Sequence, residues 1–383
     1  MELTPIKYKQ TEVGMIPEDW YLSEIENFSV ITTGSSDTQD KIENGIYPCY
    51  VRSNTVERIN KYSFDGEAVL TSGDGVGVGK IFHYANGKFD FHQRVYCIYN
   101  FRNVDGKYFY LQFSRRFFDR VMSMTAKSSV DSVRKEMIAK MKIPLPPTLI
   151  EQKAISQVLS DTDALIQALK KKITKKKQIK KGTMQKLLSP KEDWEVKTLG
   201  EVGEIITGGT PPTTIKSYWD GKIPWVTPTD IRAEKNIKSS EREITKEGLG
   251  VIRKLPPDTL LVTCIASIGK NAILRKAGAC NQQINAIVPN DSNNVDFLYY
   301  LIENNASYIK GKAGITATLL ISKKDFSEIT FAFPKSKIEQ NQIAKILSDI
   351  DLELELLKQK LSKYQLAKQG MMQKLLTGKI RLV

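Results

Sequence analysis

The chain has little of what an active site usually draws on. It holds only two histidines, His83 and His92, both in the first half and with no cysteine or second histidine at metal-ligand spacing. Its four cysteines, Cys49, Cys97, Cys264 and Cys280, form neither a CxxC pair nor a disulfide framework, so they read as reduced, buried thiols. No apolar run is long enough to cross a membrane, and the polar opening MELTPIKYKQTE lacks a secretory leader pattern, which makes the cytoplasm the expected compartment. Residues 73–80, GDGVGVGK, imitate a phosphate loop. Yet Asp74 stands where its first glycine belongs, and Ile81 follows Lys80 in place of Ser or Thr, so the segment reads as a glycine-rich strand turn. Neither a Rossmann glycine fingerprint nor an Asn/Asp-Pro-Pro-aromatic tetrapeptide occurs. The expectation is a chain without catalytic chemistry or a bound metal or cofactor of its own.

Acidic charge is also short: 43 Asp and Glu face 57 Lys and Arg, a net charge of +14 and a pI near 9.3. That balance favours a polyanionic partner. The surplus is concentrated, since eight of the twelve residues from Lys170 to Lys181 are lysines. Part of this run is a solvated helix face; Lys170, Lys171, Lys175 and Lys176 are the candidates for contact with a phosphate backbone.

What is present is a repeat. Residues 151–190 align without a gap on 339–378, 188 positions on, with 18 of 40 identical. A period so far above solenoid lengths implies two large equivalent halves, so the molecule is expected to be pseudo-two-fold. Each copy follows proline and opens with a capping box, Thr148 to Glu151 and Ser336 to Glu339. Apolar residues then recur every three or four positions. In the first copy they are Ile155, Leu159, Ile166, Leu169 and Ile173; the second has Ile343, Ile346, Ile350, Leu354, Leu357, Leu361, Tyr364, Met371 and Leu375. A run of about 38 residues without an internal proline spans about 57 Å as a helix. The spacing therefore predicts two long helices, residues 149–190 and 337–383 with the C-terminal tail, pairing antiparallel as a coiled coil.

The segments before the helices repeat more loosely. EDWYLSEIENFSVITTGSS, which holds Trp20, matches EDWEVKTLGEVGEIITGGT, which holds Trp194. VLTSGDGVGVGK matches LVTCIASIGK, and HQRVYCIY matches NQQINAIV. Short β-branched runs bounded by glycine read as strands, whereas FYLQFSRRFFDRVMS and DFLYYLIENNASYIKG read as helices. The fold class is α+β: two mixed domains, residues 1–148 and 191–336, joined by the long helices.

In this order of domain, helix opening EQ-x-x-I, domain, and helix ending MQKLLTGKIRLV, the whole chain resembles the specificity subunits of type I restriction-modification enzymes. The resemblance implies two target recognition domains, each reading one half of an asymmetric split sequence in double-stranded DNA, with the helices setting the spacer. It also implies docking of two methyltransferase subunits, and motor-nuclease subunits in the larger assembly. Methylation and cleavage, with S-adenosylmethionine, ATP and Mg, would then belong to partners, and this chain would not be an enzyme. An alternative is a coiled-coil assembly scaffold without sequence recognition. A chain carrying its own methyltransferase fold is a third, but two domains and two long helices already consume its length.

Base-reading candidates follow from chemistry and position. In the first domain they are Arg52, Ser53 and Asn54 after a strand, His92, Gln93 and Arg94 at a loop-to-strand junction, and Lys127 and Ser128 in a polar stretch. The aligned places in the second domain hold Thr227, Thr229 and Asp230, then Asn281, Gln282 and Gln283, then Thr316 and Thr318.

Overall fold

The structure, a computed structural model, describes residues 7–75, 77–124, 132–232, 234–314 and 319–382. The chain forms two compact units: unit 1 comprises residues 1–170 and 360–383, and unit 2 comprises residues 171–359. The division falls inside both long helices, so each unit holds one mixed domain, the near half of one helix and the far half of the other.

Unit 1 is built on a six-stranded sheet, β1 (Val30–Thr33), β2 (Tyr47–Tyr50), β3 (Val56–Ile59), β4 (Phe64–Ser72), β5 (Phe82–Phe91) and β6 (Val95–Tyr99), in the order β1-β6-β4-β5-β2-β3. All its pairs are antiparallel except β2 with β5. Helix α1 (Gly106–Ser123) lays an aromatic ladder on this sheet, with Phe113 stacked at 5.4 Å on Phe109 and 4.5 Å on Phe117. Asp105 caps α1 by accepting from the Tyr108 N–H at 2.8 Å. An antiparallel ribbon of Tyr21–Glu24 and Lys142–Leu145 ties the start of the domain to its end. The long helix α2 (Leu149–Leu187) leaves from there.

Unit 2 repeats the plan. Its sheet contains β7 (Gly203–Thr207), β9 (Asn236–Ile237), β10 (Thr259–Thr263), β11 (Asn271–Leu274) and β12 (Ile284–Pro289), ordered β7-β12-β10-β11-β9. The first four strands of that order correspond one to one with β1-β6-β4-β5. Strand β8 (Trp219–Val226) forms a separate small sheet with Glu243–Ile244 and Ala279–Cys280. The ribbon recurs as Glu195–Thr198 with Thr330–Phe333, and α3 (Val295–Asn304) stands where α1 stands. The helix expected over DFLYYLIENNASYIKG is two helices, because Asn305 breaks the run between α3 and a short turn at Ala306–Gly311. The second long helix is α4 (Lys337–Leu375).

Both long helices run 39 residues. Within unit 1, Lys368 reaches Asp163 at 2.6 Å; within unit 2, Lys180 reaches Asp351 at 2.9 Å and Lys176 reaches Glu353 at 2.5 Å. In unit 2 the partner number falls as the first rises, which is antiparallel order. The Lys368 and Lys180 pairs are the same pair under the 188-residue offset, so the repeat in sequence is a repeat in contact. Ile155 and Leu159 sink into the unit 1 core with Trp20 and Phe109, while Ile343 and Leu347 sink into the unit 2 core with Trp194 and Phe297.

Two details differ from the sequence reading. Ile346 is 45 % exposed, and Leu347 next to it is fully buried. From Ile343, four residues complete a turn more nearly than three do, so Leu347 takes the inner position. The capping boxes are also only half made. Thr148 and Ser336 do accept helix N–H groups, those of Glu151 and Ile338, but the glutamates turn elsewhere. Glu339 accepts from Lys191 and from the Trp194 indole at 3.3 Å. Glu151 accepts from Arg381, whose guanidinium also forks onto Asp19 at 2.9 and 2.8 Å and lies over Trp20. A charged partner outweighs one more backbone N–H.

The Glu151 hydrogen bond, with Asp19 behind it, holds the Arg381 pKa above its ordinary value, and Arg381 in turn holds that of Asp19 down. Glu151 is 1 % exposed. Arg381→Ala strands that carboxylate, and breaking a buried pair costs about 3–5 kcal/mol. At roughly 2–4 °C per kcal/mol for a body of this size, the melting transition of unit 1 should fall by about 10 °C. Calorimetry that finds it unmoved would refute the clasp.

Candidate nucleic-acid interface

The expected site residues gather at one rim in each unit, where strand ends and their loops meet. In unit 1 the loop after β2 carries Arg52, Ser53 and Asn54, and the turn between β5 and β6 carries His92, Gln93 and Arg94. Main-chain bonds lock them together: the His92 N–H donates to Tyr50 O, and the Gln93 N–H to Ser36 O, both at 2.9 Å. Gly34 makes the crossing possible, because a Cβ there would stand 1.9 Å from Phe91 O. Asp74, from the glycine-rich turn, lies between the two arginines, 2.9 Å from Arg52 and 3.7 Å from Arg94. Gln93 Nε2 donates to Asp37 at 3.2 Å.

Unit 2 builds its rim the same way. The Asn281 N–H donates to Val226 O and the Gly209 N–H to Cys280 O, both at 2.9 Å, and a Cβ on Gly208 would stand 2.1 Å from Asn281 O. Thr227, Thr229 and Asp230 form one turn: Asp230 accepts from the Thr227 N–H and hydroxyl, each at 2.8 Å, and from the Glu241 N–H. Thr210 donates to Gln282 at 2.6 Å, and the Asn281 amide donates to Gln283 at 3.0 Å.

Several expected residues are not free to read a base. His92 is 2 % exposed; its Nδ1 accepts from the Arg94 N–H and its Nε2 faces Asp37, so it shapes the turn that presents Gln93 and Arg94. Asn281 is 8 % exposed and does the same for Gln282 and Gln283. Lys176, taken as a phosphate contact, is paired with Glu353, and Lys180 in the same run is held by Asp351, Glu303 and the face of Tyr300. Lys170, Lys171 and Lys175 are exposed. Lys127, Ser128, Thr316 and Thr318 lie outside the described residues.

The cysteine thiols are free and buried, and burial pushes them up to about 11 at Cys49 and Cys264 and about 12 at Cys97 and Cys280. Burial holds the His83 pKa below the usual histidine range, and its Nε2 donates to Ser53 O at 2.9 Å and braces the first loop. Among the described residues no three His, Cys, Asp or Glu could together hold a metal ion. None of the helices there is long and apolar enough to cross a membrane.

The family model of the type I restriction modification DNA specificity domain matches residues 17–181 and again residues 191–364. The chain belongs to that family. Over 426 aligned positions it is 30 % identical to the putative type I restriction enzyme MjaX specificity subunit of Methanocaldococcus jannaschii, a match covering 98 % of this chain and 97 % of that one. It is 35 % identical over 166 residues to the MjaIX specificity subunit of the same organism, there covering 42 % of this chain and only 38 % of the relative. The crystal structure of a type I restriction-modification S subunit from M. genitalium shares the fold, with a TM-score of 0.67 at 18 % identity over 93 % of this chain and 96 % of that one. As a specificity subunit the chain serves DNA target recognition, and the scaffold alternative is not favoured.

The unit 2 rim also holds residues that sequence reasoning missed. Arg242 lies over Trp219, with Cζ 3.7 Å from the ring centroid, and Trp225 stands edge-on to Trp219. Arg253 donates to Thr207 O, and Arg232 to Thr229 O. The signal for Arg242 in the sequence was faint: an arginine in a charged loop, 23 positions from its tryptophan.

Proposed function

We propose that the two rims each read one half of a split duplex target and that the paired long helices, as a coiled coil, set the number of base pairs between the halves. The observation that carries this is one scaffold built twice with different side chains at the same place: Arg52, Asp74, Gln93 and Arg94 in unit 1, and Thr229, Arg242, Gln282 and Gln283 in unit 2. Arginine offers a fixed pair of donors and glutamine a donor beside an acceptor, the arrays that major-groove edges require. Different side chains mean different half-sites, so the target is asymmetric. Exposed Lys171 and Lys175 supply attraction to phosphates that is indifferent to sequence.

The same reading places two methyltransferase subunits on the helices and motor-nuclease subunits in the larger complex. S-adenosylmethionine, ATP and Mg then act in those partners, and the compartment is the cytoplasm, where the genomic duplex is. Support for two copies of one partner comes from apolar positions that the repeat leaves in solvent twice: Ile150 and Ile338 at 78 % and 68 % exposure, Val158 and Ile346 at 37 % and 45 %. The repeated leucines at the helix ends carry less of this argument, since Leu188, Leu375 and Leu376 are buried in their own units.

A gel shift on mixed-sequence duplex tests the reading against a scaffold. The chain together with the methyltransferase subunit should retard the duplex, with affinity falling in salt at a log–log slope of about −0.9 per phosphate contact. A scaffold gives no shift beyond that of the methyltransferase subunit alone.

A further inference from the structure

Asp74 belongs to the glycine-rich turn that resembled a phosphate loop, and its carboxylate stands between the two arginines of the rim. Arg52 Nη1 lies 2.9 Å from Oδ1, and Arg94 Nε lies 3.7 Å from Oδ2. The acid is the deepest of the three, its side chain 21 % exposed against 43 % for Arg52 and 65 % for Arg94. The backbone fixes it there. Ser72 Oγ donates to Asp74 O at 2.8 Å, and the Gly73 N–H donates to Arg94 O at 2.8 Å. The group opens onto a concavity of about 600 Å³ whose walls include Ser53, Asn54, Gly75 and Lys80.

The corresponding position in unit 2 holds no acid. Asp74 makes a bridge to Ser132, and the residue that makes the corresponding bridge in unit 2, to Leu320, is Ile265. The acid is thus a property of one rim, not a requirement of the fold.

A carboxylate opposes a phosphate backbone, and while it holds Arg52 and Arg94 it dilutes their attraction for any duplex. Its presence is favourable where the duplex donates to it. Cytosine is the only base whose major-groove edge offers a donor and no acceptor; adenine adds N7, and guanine and thymine present acceptors. The guanine paired with that cytosine presents O6 and N7, which suit an arginine.

We propose that Asp74 is a specificity-determining residue of unit 1, accepting a hydrogen bond from a cytosine amino group while restraining Arg52 and Arg94 from indiscriminate phosphate contact. The inference rests on the unit 1 rim being a DNA interface.

The test uses the full chain with its methyltransferase subunit. Asp74→Ala releases both arginines. It should bind a scrambled duplex about tenfold more tightly, with a salt slope steeper by up to about 1.8, or 0.9 for each new phosphate contact. In cells, the methylated motif should lose its cytosine preference at one position of one half-site and keep the other half unchanged. Asp74→Asn is nearly isosteric and guards against misfolding; because asparagine pairs bidentately with adenine, it should move that position toward adenine. If neither variant changes scrambled binding, salt slope or motif, while Arg52→Gln with Arg94→Gln weakens binding, the proposal falls and the interface stands. If the double arginine variant also leaves every duplex bound as before, the interface reading falls and takes the proposal with it.

Discussion

Four helical residues inserted after Lys172, matched by four after Lys358, lengthen the gap in the methylated target by about two base pairs and leave both half-sites as they were. Four residues add about 6 Å at 1.5 Å each, and base pairs rise about 3.4 Å. The division between units dictates the placement, because both helices cross it near these positions, at residues 170–171 and 359–360. Insertion there leaves Asp163 with Lys368 on one side and Lys176 with Glu353 and Lys180 with Asp351 on the other. Insertion in one helix alone breaks that register, and methylation should then drop sharply instead of moving to a longer gap. Four residues also turn about 40° beyond one full turn, so the matched variant should methylate more slowly than the parent. Methylome sequencing reads both outcomes. A changed set of bases with an unchanged gap would contradict the helices as a ruler.

The parts of the fold that were legible in the sequence are those set by local rules. Thr148 and Ser336 announce helix starts because each is a hydroxyl three residues ahead of a glutamate and shortly after a proline, and the apolar period of the repeat needs no partner to be seen. The β-branched runs at Val69 and Leu261 declare strands in the same way. What was not legible depends on residues far apart in the chain. Glu151 has the spacing of a capping-box residue, and only the fold brings Arg381, 230 positions on, to compete for it. Lys176 and Lys180 read as part of a free basic run until Glu353 and Asp351 arrive from the other helix. Ile346 and Leu347 are equally apolar, and only the phase of the helix on its unit separates them.

The same boundary runs through the candidate site. Its location was readable, because the two loops of each domain recur at matching places around Gly34 and Gly208. The roles within it were not. His92 and Asn281 have base-reading chemistry but are spent on shaping their turns, since a tight strand-to-strand crossing buries its first side chain. Arg242 gains its place only from Trp219 and Trp225, brought to it by the fold. Asp74 sits in a turn that fails as a phosphate loop, and it acquires meaning only where Arg52 and Arg94 converge on it.

Exchange of residues 20–146 for the equivalent segment of a relative with a different target is the most direct test of the central claim, that each unit reads its own half-site. The segment runs from buried Trp20 to the end of the first domain and leaves α2, α4 and unit 2 intact, so the spacer and the second reader should be untouched. The Arg381 clasp on Asp19 and Glu151 lies outside the exchanged segment, whereas Asp105 with Gln152 and Gln112 with Leu376 cross the new junction and are to be kept in the chimera. Single-molecule sequencing of DNA from cells that express the chimera with the methyltransferase subunit gives the motif. The account predicts one half-site replaced entirely, the other half-site identical to the parent's, and the gap unchanged. A motif altered in both halves, or a new half-site accompanied by a new gap, would contradict it.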